Sequence, residues 1–155
     1  MGNARDLGTS PDEVQFRFRD DEPVDHAAVT VDSCCDQTNA TAVRIEAGED
    51  VTVLFPHLDR VRLIEVDFPR FRDGRGFSTA RMLREAGYTG ELKATGDVLV
   101  DLIFFMRRCG FDSFAPRKPL NPDDVKAAEG FFPEFYQKTS NGVAAIWATW
   151  QPWTE

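Results

Sequence analysis

The sequence is poor in the residues that usually build reactive centres, and it has no long apolar run. Its two histidines, His26 and His57, lie at no metal-ligand spacing from each other or from a cysteine, which argues against a structural zinc site. Three cysteines, Cys34, Cys35 and Cys109, are too few for the four thiolates of a usual iron–sulfur cluster. An odd number also makes a poor disulfide framework, so free thiols in a reducing compartment are expected. No cofactor and no metal are expected from these residues. Nothing approaches the apolar length of a membrane helix, and residues 1–12 have neither a basic start nor an apolar stretch, so a cytoplasmic protein away from the membrane is expected. Positive charge is in deficit too. A net charge of −8 argues against general nucleic-acid binding, because neutralising phosphates requires a basic surface.

What remains is an ordinary globular composition with 42% hydrophobic residues in 155, enough to bury a core without disulfide or metal staples. Polar residues 1–12 read as a mobile tail and residues 13–155 as a single α/β domain. The charge is uneven. Residues 60–110 hold 10 Lys/Arg against 7 Asp/Glu, leaving 8 against 19 elsewhere, so a locally basic middle sits in an acidic chain. Such a contrast can focus small anions while repelling DNA.

The N-terminal part holds short alternating or β-branched runs, residues 14–19, 28–31 and 42–46, which predict short, half-exposed strands. Residues 50–58 fit a strand or a helical turn equally. From Arg60 onward, strand and helix patterns alternate. Residues 61–66, 91–95 and 111–114 read as strands. Residues 78–86 read as a helix closed by Gly87, residues 97–109 as a helix capped by Asp97 and closed by Gly110, and Asn121-Pro122 opens a third helix reaching about Gly130. This alternation predicts a parallel βαβαβα core with right-handed crossovers. Near the C-terminus, Ser140-Asn-Gly142 between two apolar runs predicts a hairpin. The expected fold is a mixed sheet: the parallel core, the short N-terminal strands and the C-terminal hairpin. Trp147, Trp150 and Trp153 are expected to cover a sheet edge or an interface.

The chemically pointed feature is the loop Phe68-Pro-Arg-Phe-Arg-Asp-Gly-Arg-Gly-Phe-Ser78. Gly74 and Gly76 permit tight turning, and Ser78 stands where a helix would be capped. A helix start offers unpaired N–H groups and the positive end of a dipole, and Arg75 adds a planar fork of donors. Arg81, a turn further on, would reach the same ligand. Parallel topology adds the loops after the next two strands, with Gly96 and Asp97 and then Arg117 and Lys118, because ligands of open α/β sheets gather beyond the carboxyl ends of the strands. An oxyanion site of Asp73, Gly74, Arg75, Gly76, Ser78, Arg81, Gly96, Asp97, Arg117 and Lys118 is the functional reading. The structural reading is that Asp73-Gly-Arg75 is a surface turn whose arginines pair with Asp73 and Glu85. Arg107 and Arg108 end a helix and belong at the opposite edge, complementing the dipole there.

On the second helix Val98, Leu99, Leu102, Ile103, Met106 and Cys109 predict the core-facing stripe. Phe104 and Arg108 fall on the opposite face and would mark a partner or homodimer surface. No Walker loop, GxGxxG fingerprint or Gly-x-Ser-x-Gly elbow is present, and no catalytic residue is identified.

Three segments carry a resemblance: Asp67-Phe-Pro-Arg-Phe-Arg-Asp-Gly-Arg-Gly-Phe-Ser-Thr-Ala-Arg-Met-Leu-Arg84, Gly90-Glu-Leu-Lys-Ala-Thr-Gly-Asp-Val-Leu99, and Phe104-Phe-Met-Arg-Arg-Cys-Gly-Phe-Asp112. Together they resemble the bacterial domain-of-unknown-function 934 family. The resemblance implies an accessory or oxidoreductase protein of sulfur assimilation, since members are typically encoded beside sulfite reductase. The partner it implies is sulfite reductase or a related enzyme. Leu102 departs from the frequent Gln of the family, and the Cys34-Cys35 pair is not a family feature. Three readings stand side by side: an accessory protein with an oxyanion- or partner-binding arginine loop, an electron-transfer component working with sulfite reductase, and a dimerisation module without ligand.

Overall fold

The strand expected at residues 61–66 forms β4 (Leu63–Phe68), two residues further along the chain, where Ile64, Val66 and Phe68 are buried and Glu65 and Asp67 half-buried. It pairs in parallel along its whole length with β5 (Glu91–Gly96), from Leu63 opposite Glu91 to Phe68 opposite Gly96. β5 pairs in parallel with β6 (Ser113–Pro116), and β4 with β3 (Ala42–Ile45). β2 (Val29–Thr30) lies parallel beyond β3, and β1 (Phe16–Arg17) closes the other edge antiparallel to β6. The computed structural model describes residues 13–129. Within them the sheet has six strands in the order β1-β6-β5-β4-β3-β2, so the chain is a mixed, mostly parallel α/β fold. The expected tail and C-terminal hairpin, with the tryptophans, lie outside the described residues.

The helices are α1 (Val31–Asp36), a 3₁₀ helix (Val51–His57), α2 (Arg75–Glu85), α3 (Val100–Cys109) and α4 (Pro122–Glu129). Among the described residues no helix is long and apolar enough to cross a membrane. Gly87 at φ +93° and Gly110 at φ +114° close α2 and α3 in the left-handed conformation that spares glycine a Cβ clash. Asn121 caps α4, its side chain accepting from Asp123 N–H at 3.0 Å.

Several expectations shift. Val31, read as a strand residue, opens α1, where the Thr30 side chain accepts from Ser33 N–H. The cysteine pair is therefore helical, with Cys34 buried and Cys35 exposed. The N-terminal strands do not merely flank the parallel core. β2 and β3 extend it, and β3 is largely buried.

One sheet face makes the core. Val43, Ile45, Ile64, Val66, Phe68, Leu92, Ala94 and Phe114 meet Leu54, Ala80, Leu83, Ile103 and Met106 from the helices. Burying each large side chain fully contributes about 1.5–3 kcal/mol. The alternate residues turn to the other face, which is polar yet little exposed. Lys93 pairs with Glu65, its direct cross-strand neighbour. Arg17 pairs with Glu91 at 2.9 Å, and Arg44 with Asp67 at 3.3 Å. Ser113 and Thr95 hydroxyls donate to Glu91 and Asp67. Unlike charges are matched across this face, as buried ionic groups require.

Candidate functional site

Because β4, β5 and β6 are parallel and in register, Phe68, Gly96 and Pro116 lie side by side, and the three loops that follow them leave one edge of the sheet. The main chain ties these loops together. Asp97 N–H donates to Phe68 C=O at 2.7 Å, and Arg117 N–H to Gly96 C=O at 2.7 Å. Gly96, at φ +92°, permits the close approach, since a Cβ there would collide with the Phe68 carbonyl. The Asp97 carboxylate accepts Phe71 N–H at 2.9 Å, so it anchors the arginine loop and does not cap α3 as expected. That helix begins three residues later with Leu99 at the cap, and no side chain bonds there.

Asp73 accepts Arg75 N–H at 3.2 Å and grips the same residue's guanidinium at 2.9 and 2.6 Å. The guanidinium bonds, with the Arg75 N–H adding to them, hold the Asp73 carboxyl down to about 2, and Asp73 in turn raises Arg75. The Nε and Nη2 donors of Arg75 are thus committed to Asp73. It also lies over Gly48, where a Cβ would come 2.7 Å from its Nη1. The helix starts at Arg75, three residues before the expected cap. Gly74 is its cap residue and Gly76 is buried inside it against the Phe68 ring. Ser78 is thus a helical, exposed residue with no capping role. Arg81 pairs with Glu85 at 3.5 Å on the exposed helix surface. Its charge opposes the burial that pushes up the Cys109 thiol, which places it toward the far end of α3 and away from the loop.

Of the ten residues expected to form one anion site, the structure therefore gathers Asp73, Gly74, Arg75, Gly96, Asp97, Arg117 and Lys118 at the carboxyl edge. Gly76 sits beneath it in the core, and Ser78 and Arg81 lie about one and two turns into α2 on its exposed surface. Arg117 and Lys118 are exposed and make no side-chain hydrogen bond or ion pair within the described residues. Sequence reading passed over Arg70, Phe71 and Arg72. All three are exposed, Phe71 at 39%, and the Arg72 guanidinium lies 5.3 Å from the Phe71 ring. Their alternation of cation and aromatic was the available signal.

The expected partner surface on α3 also changes. Phe104 is half-buried and packs against the core, on a helix that contacts α4, while Phe105 is 42% exposed. Leu99, placed on the core stripe, is exposed. The Phe105 ring lies 5.0 Å from Phe77, and the half-buried Arg108 sits 5.7 Å from it.

A family model, described as a bacterial protein of unknown function (DUF934), matches residues 42–147. The chain belongs to that family. No curated protein and no solved structure matches it. The DUF934 match begins at β3, so all three carboxyl-edge loops are family sequence, whereas β1 and the Phe18 and Arg19 that follow it precede the match.

The far edge holds a second arginine group. Arg84 and Arg19 converge on Asp112 at 2.6 and 3.1 Å. Arg19 also grips Asp21, whose carboxyl is held far below the usual carboxylate range, first by Arg19 and then by Arg17. Nothing in the linear sequence pairs residues 19, 84 and 112. The crossovers between parallel strands bring Arg84 to Asp112, and the antiparallel pairing of β1 with β6 adds Arg19.

Proposed function

We propose that this member of the family is a non-catalytic accessory protein of sulfite reduction whose carboxyl-edge loops dock on an acidic surface of its partner enzyme. One observation carries the reading. Arg70 and Arg72 flank the exposed Phe71, and Arg117 and Lys118 are exposed on the loop after β6, all four without carboxylate partners among the described residues, while main-chain bonds and Asp97 hold the backbone beneath the loops. A fixed backbone bearing arginines and an exposed aromatic suits protein recognition, where Arg and Phe are enriched, and cations steer encounter with an acidic face. Arg75 is already engaged by Asp73, which leaves those four side chains as the unpaired cations named at this edge. The sulfur context rests on the family resemblance, which puts relatives beside sulfite reductase, and that enzyme or a related one is the partner proposed.

The test is copurification with sulfite reductase as bait. We expect capture that weakens as salt rises and is abolished by the double substitution Arg70→Glu with Arg72→Glu, with the fold retained. Capture of that double variant as efficiently as the parent, or none of the parent at low salt, overturns the proposal.

A further inference from the structure

At the amino edge of the sheet, opposite the docking loops, lies a cavity of about 310 Å³. Arg19, Arg84, Arg107 and Asp112 supply its polar wall, with Phe18 and Phe111 on the apolar side. Three guanidiniums around one carboxylate would be costly to hold together unless each had its own work, and two of them do.

Arg84 spends every donor it has. Its Nε donates to Gly110 C=O at 3.1 Å, and Nη1 to the carbonyls of Tyr88 and Gly90 at 2.8 and 2.9 Å. Its Nη2 donates to Gly110 C=O at 2.8 Å and to Asp112 at 2.6 Å. Arg19 divides its donors among Asp21, Asp112 and the carbonyls of Thr89 and Gly90. Asp112 also accepts Leu92 N–H at 3.1 Å. These groups form a latch that ties the segment after β1 to the ends of α2 and the starts of β5 and β6.

Arg107 is different. Its guanidinium lies 3.9 Å over the Phe18 ring, half-buried, and makes no hydrogen bond within the described residues. Burial lowers its proton affinity, against the weaker opposite pull of Glu129 and Asp112. Stacking on Phe18 occupies a face of the guanidinium and leaves its N–H edge for an acceptor. Asp112 in the wall and Asp21 on Arg19 offset the charges of the latch by direct ion pairs, whereas Arg107 feels Glu129 and Asp112 only through space and has no ion pair among the described residues. The volume is at the small end of the roughly 300–1,000 Å³ of ligand pockets.

We propose that this cavity binds a small oxyanion, sulfate-like or phosphate-like, with the N–H edge of Arg107 as its principal ligand and Arg19 and Arg84 supplying the surrounding positive field. A planar fork meets two oxygens of such an anion at once, and a charge-assisted pair of this kind is stronger than a neutral one. The site is independent of the docking loops, which lie at the other edge of the sheet.

The experiment is calorimetric titration of the full chain at low ionic strength with sodium sulfate, sulfite, phosphate and adenosine 5′-monophosphate, with amide NMR shifts followed in parallel. We expect one anion per chain, the Gly110 and Phe111 amides moving, and affinity falling about tenfold or more in Arg107→Gln. Arg107→Lys, which keeps the charge but loses the fork, should bind more weakly than the parent and more tightly than Arg107→Gln. Arg75→Gln and Arg70→Glu should bind as the parent does. A nucleotide that binds well above inorganic phosphate assigns the oxyanion to a nucleotide, and equal binding assigns a free anion. Should Arg107→Gln fail to fold, the amide shifts of the parent decide. No binding by any of the four, shifts confined to Gly74 and Gly76, or undiminished binding in a folded Arg107→Gln overturns the proposal.

Discussion

The ring of Phe68 occupies the space that a side chain on Gly76 would need: a Cβ there would come 2.5 Å from the ring's Cζ. Phe68 is fully buried and packs edge-on against Phe77 and Phe111, so it cannot simply swing aside. Glycine within a helix costs about 0.5–1 kcal/mol relative to alanine, but here overpacking outweighs that gain. Gly76→Ala should destabilise by about 1–3 kcal/mol in chemical denaturation. Gly74→Ala, with nothing within 4 Å of the new Cβ, should stay within about 0.5 kcal/mol of the parent.

The Asp73–Arg75 pair makes a titration prediction. Asp73 is depressed, so its contribution to stability is complete above the ordinary carboxylate value and is lost as pH falls toward about 2. Carboxyl NMR should show Asp73 titrating near that value. In Arg75→Gln the midpoint should rise toward the ordinary value of about 3.9. A midpoint unmoved by that substitution would show that the guanidinium is not the cause.

On the polar sheet face, Lys93 and Glu65 are side by side with only 10% and 12% of their side chains exposed. Glu65→Gln leaves a buried ammonium without its counter-charge and should cost about 3–5 kcal/mol. The double substitution Glu65→Leu with Lys93→Met, which removes both charges, should recover most of that loss in the same denaturation assay.

The thiols should separate by access. Cys35 is exposed, Cys34 is buried with its thiol pushed up by burial, and half-buried Cys109 is pushed up for the same reason. A disulfide reagent at pH 8 should modify one thiol rapidly, and Cys35→Ser should abolish that fast phase. Rapid reaction that persists in Cys35→Ser with Cys109→Ser would show that α1 opens readily.

Features set by nearby residues were legible in the sequence. Gly87, Gly110 and Asn121-Pro122 mark helix ends through φ preference or capping, and each stands where expected. Features set across the sheet were not. Asp97 has the composition of an N-cap but answers to Phe71 N–H, 26 residues away in the chain. Gly76 looks like a turn residue, yet Phe68 decides its place. Phe104 and Phe105 flank the same helical face, and only packing against neighbouring elements determines which is covered. The arginine loop showed its cations plainly. The surface-turn reading anticipated the pairs with Asp73 and Glu85, which Arg75 and Arg81 make; that Arg70 and Arg72 stay exposed is a matter of side-chain geometry, which spacing does not encode.

The strand order has a temporal meaning. Each strand from β3 to β6 pairs with the one made just before it, so the sheet can extend as the chain lengthens, one crossover connection closing at each step. β1 is the exception, because Phe16 must wait for Phe114. Its arrival brings Phe18 beneath Arg107 and Arg19 onto Asp112, so the amino-edge cavity is completed by the last strand to dock. Without β6 to pair with, β1 has no place in the sheet, and the amino-edge cavity loses its Phe18 and Arg19 walls.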